Sequence, residues 1–519
     1  MITPLLGTSF IGHSRSTGTE PCGNAVQPGT GTLLDPPYLS ATPEEVEHAM
    51  ALAAAAFPAY SNQSGQTRAG FLRAIALEIE SVVDDIVERG QLETALAEPR
   101  LRGETDRTTG QLRMFANLIE EGSWVDARID RADPDRKPIP KVDLRSMQRP
   151  LGTVAVFCAS NFPMAYSVAG GDTASALASG CPVVVIAHAS HPGVAEIVAN
   201  AVIRAAKLTR MPEGVFSVLY GGGRKVGQAV VGHPVIQAVG FTGSRAGGTA
   251  LMDTAAKRKQ PIPVYAEMSS VNPIVILPGA LERGEEALAE VFFGSLTLGV
   301  GQFCTNPGLV FMPNDAGKKF LSKLKSLVEA GCPGMMLNAG ICQSFADSKA
   351  AVASAAGVET LARSATEAGP GQGAPAVFTV SIGDFLANES LQHEMFGPAT
   401  LIVRGTLEEI EAAIPYLEGQ LTASLHATDA ELAAHSSLVH ALQQRAGRLI
   451  FNGFPTGVEV CNSIVHGGPF PATSDGRSTS VGTMAIFRFC RPVAWQSFPD
   501  AALPAELQEA NPLGIKRIE

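Results

Sequence analysis

Cys304 lies in Gly299-Val300-Gly301-Gln302-Phe303-Cys304-Thr305-Asn306-Pro307-Gly308, among small residues that let the backbone turn tightly and approach a ligand. A thiol on such a turn, beside bare backbone amides, suits nucleophilic attack on a carbonyl. The stretch alone also fits a small core residue, the commoner fate of a free cysteine. Glu267 follows an apolar run and precedes small residues, in Ala266-Glu267-Met268-Ser269-Ser270. A carboxylate there is either an ion-pair member or a general base whose pKa partial burial raises toward a useful range. Asn161, in Ala159-Ser160-Asn161-Phe162-Pro163, is a turn residue or an amide donor to a developing oxyanion. Gly243, Ser244 and Gly248 mark a turn that would bring a phosphate to a helix N-terminus, although any tight strand-to-helix turn looks similar.

The elements that must position these groups alternate strand and helix. Apolar runs are expected as strands at 153–158, 182–186, 214–220, 236–241, 262–265 and 274–277, with helices near 168–179, 193–207 and after Gly248. A long helix over 284–298 would deliver the chain to Cys304. This alternation predicts an α/β fold, a parallel sheet with crossover helices. Upstream, Thr42-Pro43-Glu44-Glu45 is a helix start with a capping box, and the Ala-rich run to Phe57 continues it. Further helices are expected near 68–97 and 104–121. The first forty residues and the tail from Ile486 read as irregular. Residues 126–150 crowd charges of both signs with Pro134, Pro138, Pro140 and Pro150, around a loose alternation of Ile139, Val142, Leu144 and Met147. That pattern fits a protruding hairpin that pairs with another subunit, or a solvated linker.

At 519 residues the chain exceeds one core. A composition 45% hydrophobic and 17% charged excludes global disorder. The formal net charge of -11 argues against a nucleic-acid partner. Eight scattered cysteines without a C-x-x-C pair fit neither a metal site nor a disulfide framework, so no metal is expected and a reducing, cytoplasmic setting is. No apolar run is long enough for a bilayer, and Met1-Ile2-Thr3-Pro4 lacks the charged-then-apolar order of a signal peptide.

Five motifs in one order carry a resemblance: Ala159 to Pro163, Gly240-Phe241-Thr242-Gly243-Ser244, Ala266-Glu267-Met268, Gly301-Gln302-Phe303-Cys304 and Glu394-Met395-Phe396-Gly397-Pro398. With them the chain resembles the aldehyde dehydrogenase superfamily over essentially its whole length. His466-Gly467-Gly468-Pro469-Phe470-Pro471 and Phe487 to Val493 resemble the branch of 2-oxoglutarate semialdehyde dehydrogenases, which also holds NADP-dependent fatty aldehyde dehydrogenases. The resemblance implies a Rossmann-like cofactor domain (1–125 and 151–262), a second α/β catalytic domain (263–482), and a small oligomerisation element (126–150 and 483–519). It also implies a homodimer or homotetramer. Cys304 is then the nucleophile, Asn161 and the Cys304 amide stabilise the oxyanion, and Glu267 activates the hydrolytic water. Gly243, Ser244, Gly248, Glu394 and Phe396 would hold NADP or NAD. A free thiol has a pKa of about 8.5, so it needs a base.

One departure concerns the cofactor. Where the family usually has a lysine after the strand at 183–185 this chain has Ile186, and where NAD-preferring members often have Glu it has Ala189. No carboxylate would repel a 2′-phosphate, but the missing lysine also removes attraction, so the residues leave the choice between NADP and NAD open. The resemblance to the branch implies a slight lean to NADP, with Ser190, His191 or Arg210 as replacement contacts. For a dicarboxylic semialdehyde, Arg113 is the candidate cation. Phe115 and Phe454 suit the apolar tunnel of a long-chain aldehyde. Transfer of the thioester to coenzyme A and a non-catalytic cofactor-binding homologue stand as alternatives.

Overall fold

Thr153–Phe157, Val183–Ile186 and Phe216–Leu219 are buried at every position, which only a sheet covered on both faces allows. In the computed structural model, which describes residues 4–519, these strands belong to a seven-stranded sheet. Its order is Val264–Glu267, Ile236–Thr242, Thr153–Phe157, Val183–Ile186, Phe216–Leu219, Phe10–Ile11, Ser14–Arg15. The first five run parallel. Alternate residues go to opposite faces. Val154, Val156, Val183 and Val185 pack under helices Gly65–Glu80, Glu98–Glu121, Gly171–Ser179 and Pro192–Leu208. Ala155, Phe157, Val184 and Ile186 face Pro43–Ser61 and Arg245–Ala256. Each fully buried valine contributes about 1.5–3 kcal/mol.

Successive strands step one way from Thr153–Phe157 and the other way from Ile236–Thr242, so the order reverses between these two neighbours. Crossover connections diverge there and leave a crevice at the carboxyl ends of the strands. The turns that open it carry Asn161 and Gly243-Ser244.

The second sheet has the order Glu359–Arg363, Ala376–Ser381, Ala399–Gly405, Leu309–Pro313, Ile274–Ile276, Gln420–His426, Ala446–Phe451, parallel except at its first pair. Helix Glu285–Thr297 precedes the turn to Cys304. A three-stranded sheet, Cys490–Gln496, Leu144–Pro150 and Arg128–Asp130, stands apart.

The expected helix after Thr42 runs from Pro43 to Ser61. Its Thr42 Oγ1 accepts the Glu45 amide (3.2 Å) and the Glu45 carboxylate accepts the Thr42 amide (3.0 Å), a cap of about 1 kcal/mol. Other expectations shift. The single helix over 68–97 is two, Gly65–Glu80 and Val83–Thr94, because Ser81 Oγ donates back to the Glu78 carbonyl and Val82 leaves helical geometry. The helix expected from Glu104 starts at Glu98, with Pro99 in its first turn. The first forty residues hold the paired strands Pro21–Val26 and Leu33–Leu39, and the tail holds Cys490–Gln496. These strands are mostly exposed, so no apolar alternation marks them. Val264–Glu267 is an edge strand of the first sheet, which therefore extends past the expected boundary at 262. Met1–Thr3, where the lack of a signal pattern was read, lie outside the described residues.

Candidate active site

The crevice widens into a cavity of about 1120 Å³ between the two large sheets. Asn161, Thr242, Gly243, Ser244, Glu267, Cys304, Glu394 and Phe396 line it. Side chains more than 200 residues apart in sequence meet here because each ends an element.

Cys304 is carried on a backbone that turns left-handed at Gly299, Val300 and Gly301 (φ 56°, 59° and 65°). Gly301 permits close passage, since a Cβ there would lie 2.3 Å from the Gly397 carbonyl carbon. Asn272, itself left-handed at φ 49°, donates Nδ2–H to the Cys304 and Asn306 carbonyls (2.9 Å each). Its Oδ1 accepts from Ser270 and Thr422 hydroxyls. The loop is thereby pinned to the second sheet.

Glu267 is 3% exposed at the carboxyl end of its strand. His466 Nε2 lies 2.9 Å from its Oε1, and Ser480 Oγ donates to Oε2 at 2.8 Å. The same Nε2 lies 3.5 Å from Cys304 Sγ. The three candidate ligand atoms of Glu267, Cys304 and His466 are within 4.8 Å of one another. Burial pushes the Glu267 pKa up, but His466 and Ser480 outweigh it and hold the carboxyl below its usual value. Burial, then the negative Glu267, push the Cys304 thiol well above the ordinary thiol range. A protonated thiol therefore faces an ionised base. Asn161 uses one Nδ2–H on the Gln302 carbonyl (3.0 Å) and has a second to offer.

The cofactor candidates fit a dinucleotide. Ser244 Oγ caps helix Arg245–Ala256 by accepting from Gly247 (3.2 Å), which leaves the Arg245 and Ala246 amides at the helix start without partners among the described residues. A Cβ at Gly243 would lie 2.8 Å from Phe241, and one at Gly248 would lie 2.6 Å from Met268, so these glycines let the turn and helix pack close. Burial pushes the Glu394 carboxyl up to about 8, which favours an acceptor for ribose hydroxyls over a free charge.

Of the replacement contacts, His191 is fully buried with Nε2 2.8 Å from the Ala159 carbonyl. Arg210 lies beyond the far end of helix Pro192–Leu208, about 25 Å from the crevice end. Ser190, whose Oγ accepts from Asn338 (2.9 Å), follows the carboxyl end of strand Val183–Ile186, beside the exposed Ala189.

The three substrate candidates belong elsewhere. Arg113 Nη1 and Nη2 donate to Glu80 (2.5 and 2.8 Å) in a half-exposed surface pair. Phe115 is fully buried in the core below the first sheet. Phe454 stacks near Phe292 and His426 and lines a separate hollow of about 610 Å³ with Arg283, Val291 and Leu298. On the helix Glu98–Glu121, 100° per residue puts Arg100, Glu104, Arg107 and Gln111 on one stripe and Arg113 on another. The site-facing stripe carries Arg107, whose Nη2 donates to Tyr166 Oη (3.3 Å), and Arg100, which stacks 4.6 Å above both Phe162 and Phe303.

In the sequence His466 is visible only as part of a motif, and Ser480, Asn272 and Arg107 stand in no motif that marks a role. A histidine followed by two glycines is a faint signal of a buried polar contact. The others carry none at the level of spacing.

Residues 17–469 match the model of the aldehyde dehydrogenase family. The chain is 49% identical over 519 residues to alpha-ketoglutaric semialdehyde dehydrogenase 2 of Azospirillum brasilense, covering 99% of this chain and 98% of that one. It is 43% identical over 520 residues to alpha-ketoglutaric semialdehyde dehydrogenase of Acinetobacter baylyi, with the same coverage. The fold matches betaine aldehyde dehydrogenase of Staphylococcus aureus with a TM-score of 0.81 at 19% identity, covering 95% of each chain. Family model, full-length relatives and fold agree, and the chain belongs to the aldehyde dehydrogenase family.

Proposed function

We propose that this enzyme oxidises 2-oxoglutarate semialdehyde to 2-oxoglutarate by hydrolytic, cysteine-based chemistry. The observation that carries the chemistry is the Cys304–His466–Glu267 cluster, with S···N 3.5 Å and N···O 2.9 Å, at the wall of a cavity that Asn161 and Ser244 also line. The substrate is supported by the two full-length relatives named above.

Glu267 takes the thiol proton, and the thiolate attacks the aldehyde carbon. The second Asn161 Nδ2–H and the Cys304 amide, which has no partner among the described residues, donate to the oxyanion. The start of helix Arg245–Ala256, Glu394 and Phe396 would hold the NAD or NADP that the family uses, which when bound supplies the hydride acceptor that turns the thiohemiacetal into a thioester. After Glu267 has passed the thiol proton to solvent, it takes a proton from a water whose oxygen attacks the thioester carbonyl. Collapse of the adduct releases the acid and the Cys304 thiolate, which regains a proton to restore the resting thiol. His466 and Ser480 fix the carboxylate throughout.

NADP is the preferred cofactor in this reading, because Ile186, Ala189 and Ser190 present no carboxylate to a 2′-phosphate. The working form is a homodimer or homotetramer, since Ile139, Val142 and Leu144 are exposed on the small sheet and its connection. Eight free cysteines fit a cytoplasmic setting, and no helix among the described residues is long and apolar enough to cross a membrane.

The test is reduced-cofactor formation, with NAD and NADP, on 2-oxoglutarate semialdehyde against pentanal. The wild type should favour the semialdehyde, Cys304→Ala should be inert, and Glu267→Gln should accumulate a thioester visible by intact-protein mass. Normal steady-state turnover in either variant would sink the mechanism.

A further inference from the structure

Behind Cys304 an apolar cluster of Ala159, Phe162, Ala165, Tyr166, Ile464 and Val481 packs with Phe303, Val458 and Val460. Three arginines border it, and their pairing differs. Arg100 bridges Glu104 (3.3 Å), whose other oxygen accepts the Met164 and Ala165 amides. Its charge is therefore balanced inside the protein. Arg107 and Arg448 have no carboxylate within 4 Å among the described residues. Arg107 holds only the Tyr166 hydroxyl, and Arg448 holds only the Gly457 and Pro455 carbonyls (3.0 and 2.8 Å). The Nε of each is buried without a partner. In a chain with 50 acidic and 39 basic residues, two partly buried guanidinium groups without an acid are not explained by a shortage of partners. Leaving such charges uncompensated is unfavourable unless something else neutralises them.

Both groups reach toward the apolar cluster behind the reacting thiol. Arg107 touches Tyr166, whose ring centre is 6.2 Å from that of His466, and His466 touches Sγ. Arg448 anchors the loop that brings Val458 and Val460 into the same cluster. The positive charge of Arg107 lowers the thiol pKa, against burial and Glu267, and burial lowers the Arg448 pKa against the pull of Cys304 and Tyr166.

We propose that Arg107 and Arg448 form the site for the distal carboxylate of an anionic aldehyde. This rests on the proposed oxidation of 2-oxoglutarate semialdehyde. Its four C–C bonds of about 1.5 Å put the carboxylate carbon about 5 Å from the aldehyde carbon along the zigzag, so with the aldehyde at Cys304 the carboxylate needs a cation of its own away from the thiol. The apolar cluster carries the intervening methylenes, and a guanidinium fork binds the carboxylate at the end. Arg113, the sequence-based candidate, lies on the wrong stripe of the same helix.

The experiment measures the ratio of kcat/KM for 2-oxoglutarate semialdehyde to that for pentanal, in wild type, Arg107→Met, Arg448→Met, Arg107→Lys and the control Arg113→Met. The expected result is a ratio lower by about 30-fold in each methionine variant, carried by KM, as loss of a charge-assisted pair predicts. Arg107→Lys should recover part of it, and Arg113→Met should not move it. Equal loss on both aldehydes, or an unchanged ratio in both methionine variants, overturns the clamp while leaving the wild-type preference standing. A wild type that prefers pentanal overturns the substrate reading itself, and the clamp with it.

Discussion

At Cys304 the resting proton sits on sulfur, because burial and the nearby Glu267 charge both disfavour the thiolate. Removing that charge should lower the thiol pKa, so the pH profile of iodoacetamide alkylation should move to lower pH in Glu267→Gln. A profile that stays put or moves up would mean the carboxylate does not face the thiol. The opposite balance holds for Glu267, whose pKa burial raises and His466 and Ser480 lower by more. His466→Leu should let burial win, shifting the acid limb of thioester hydrolysis to higher pH, with thermal melting as the check on folding. The sign for stability follows. A carboxyl depressed in the folded state stabilises above its unfolded value of about 4.3 and loses that contribution as pH falls through its folded value. The raised thiol contributes below about pH 8.5 and loses its contribution as pH climbs toward its folded value.

The turn from Leu298 to Cys304 shows what an element adds to a residue. Gly299, Val300 and Gly301 are all left-handed, and for the β-branched Val300 this is a strained conformation of roughly 1–3 kcal/mol. Val300 is held there by packing on the second core and against Gly334. Gly301→Ala would drive a Cβ into the Gly397 backbone beside Phe396 and move the thiol with it. The variant should lose activity by about 100-fold or more and melt several degrees lower, as differential scanning calorimetry would record. Wild-type turnover in Gly301→Ala would mean the close approach is not needed. The glycine-flanked thiol was legible in sequence because glycine and proline leave marks on the chain. Asn161, Glu267 and Ser244 were legible because each ends a patterned strand or starts a helix. Ser480 and Asn272 were not, because Glu267 lies 213 residues from Ser480 and the Cys304 and Asn306 carbonyls lie 32 and 34 residues from Asn272, and no local pattern records such meetings. Arg113 and Phe115 were misplaced for a related reason. The helix Glu98–Glu121 was recognised, but which of its stripes faces the thiol depends on docking against Gly171–Ser179 and the first sheet.

For the whole molecule, the parallel alternation from 153 to 267 made the first sheet readable, while the exposed strands at 21–39 and 490–496 had no periodicity to show. Those exposed strands bear on assembly. The small sheet presents Cys490–Gln496 as an open edge, and the second large sheet ends at Ala446–Phe451 with Leu449 and Phe451 exposed. Unpaired edges with apolar side chains are left open in a monomer only at the risk of indiscriminate pairing. A second copy of the chain would cover them along with Ile139, Val142 and Leu144. Sedimentation velocity should therefore give a species of at least twice the 54.1 kDa chain mass, and Phe451→Lys with Leu449→Glu should shift it toward monomer. Because Ala446–Phe451 also carries Arg448, loss of the interface should loosen that arginine and raise KM for the anionic aldehyde more than for pentanal. A wild type that sediments as a monomer at micromolar concentration would contradict the assembly, and a dissociated variant with unchanged selectivity would separate assembly from substrate recognition.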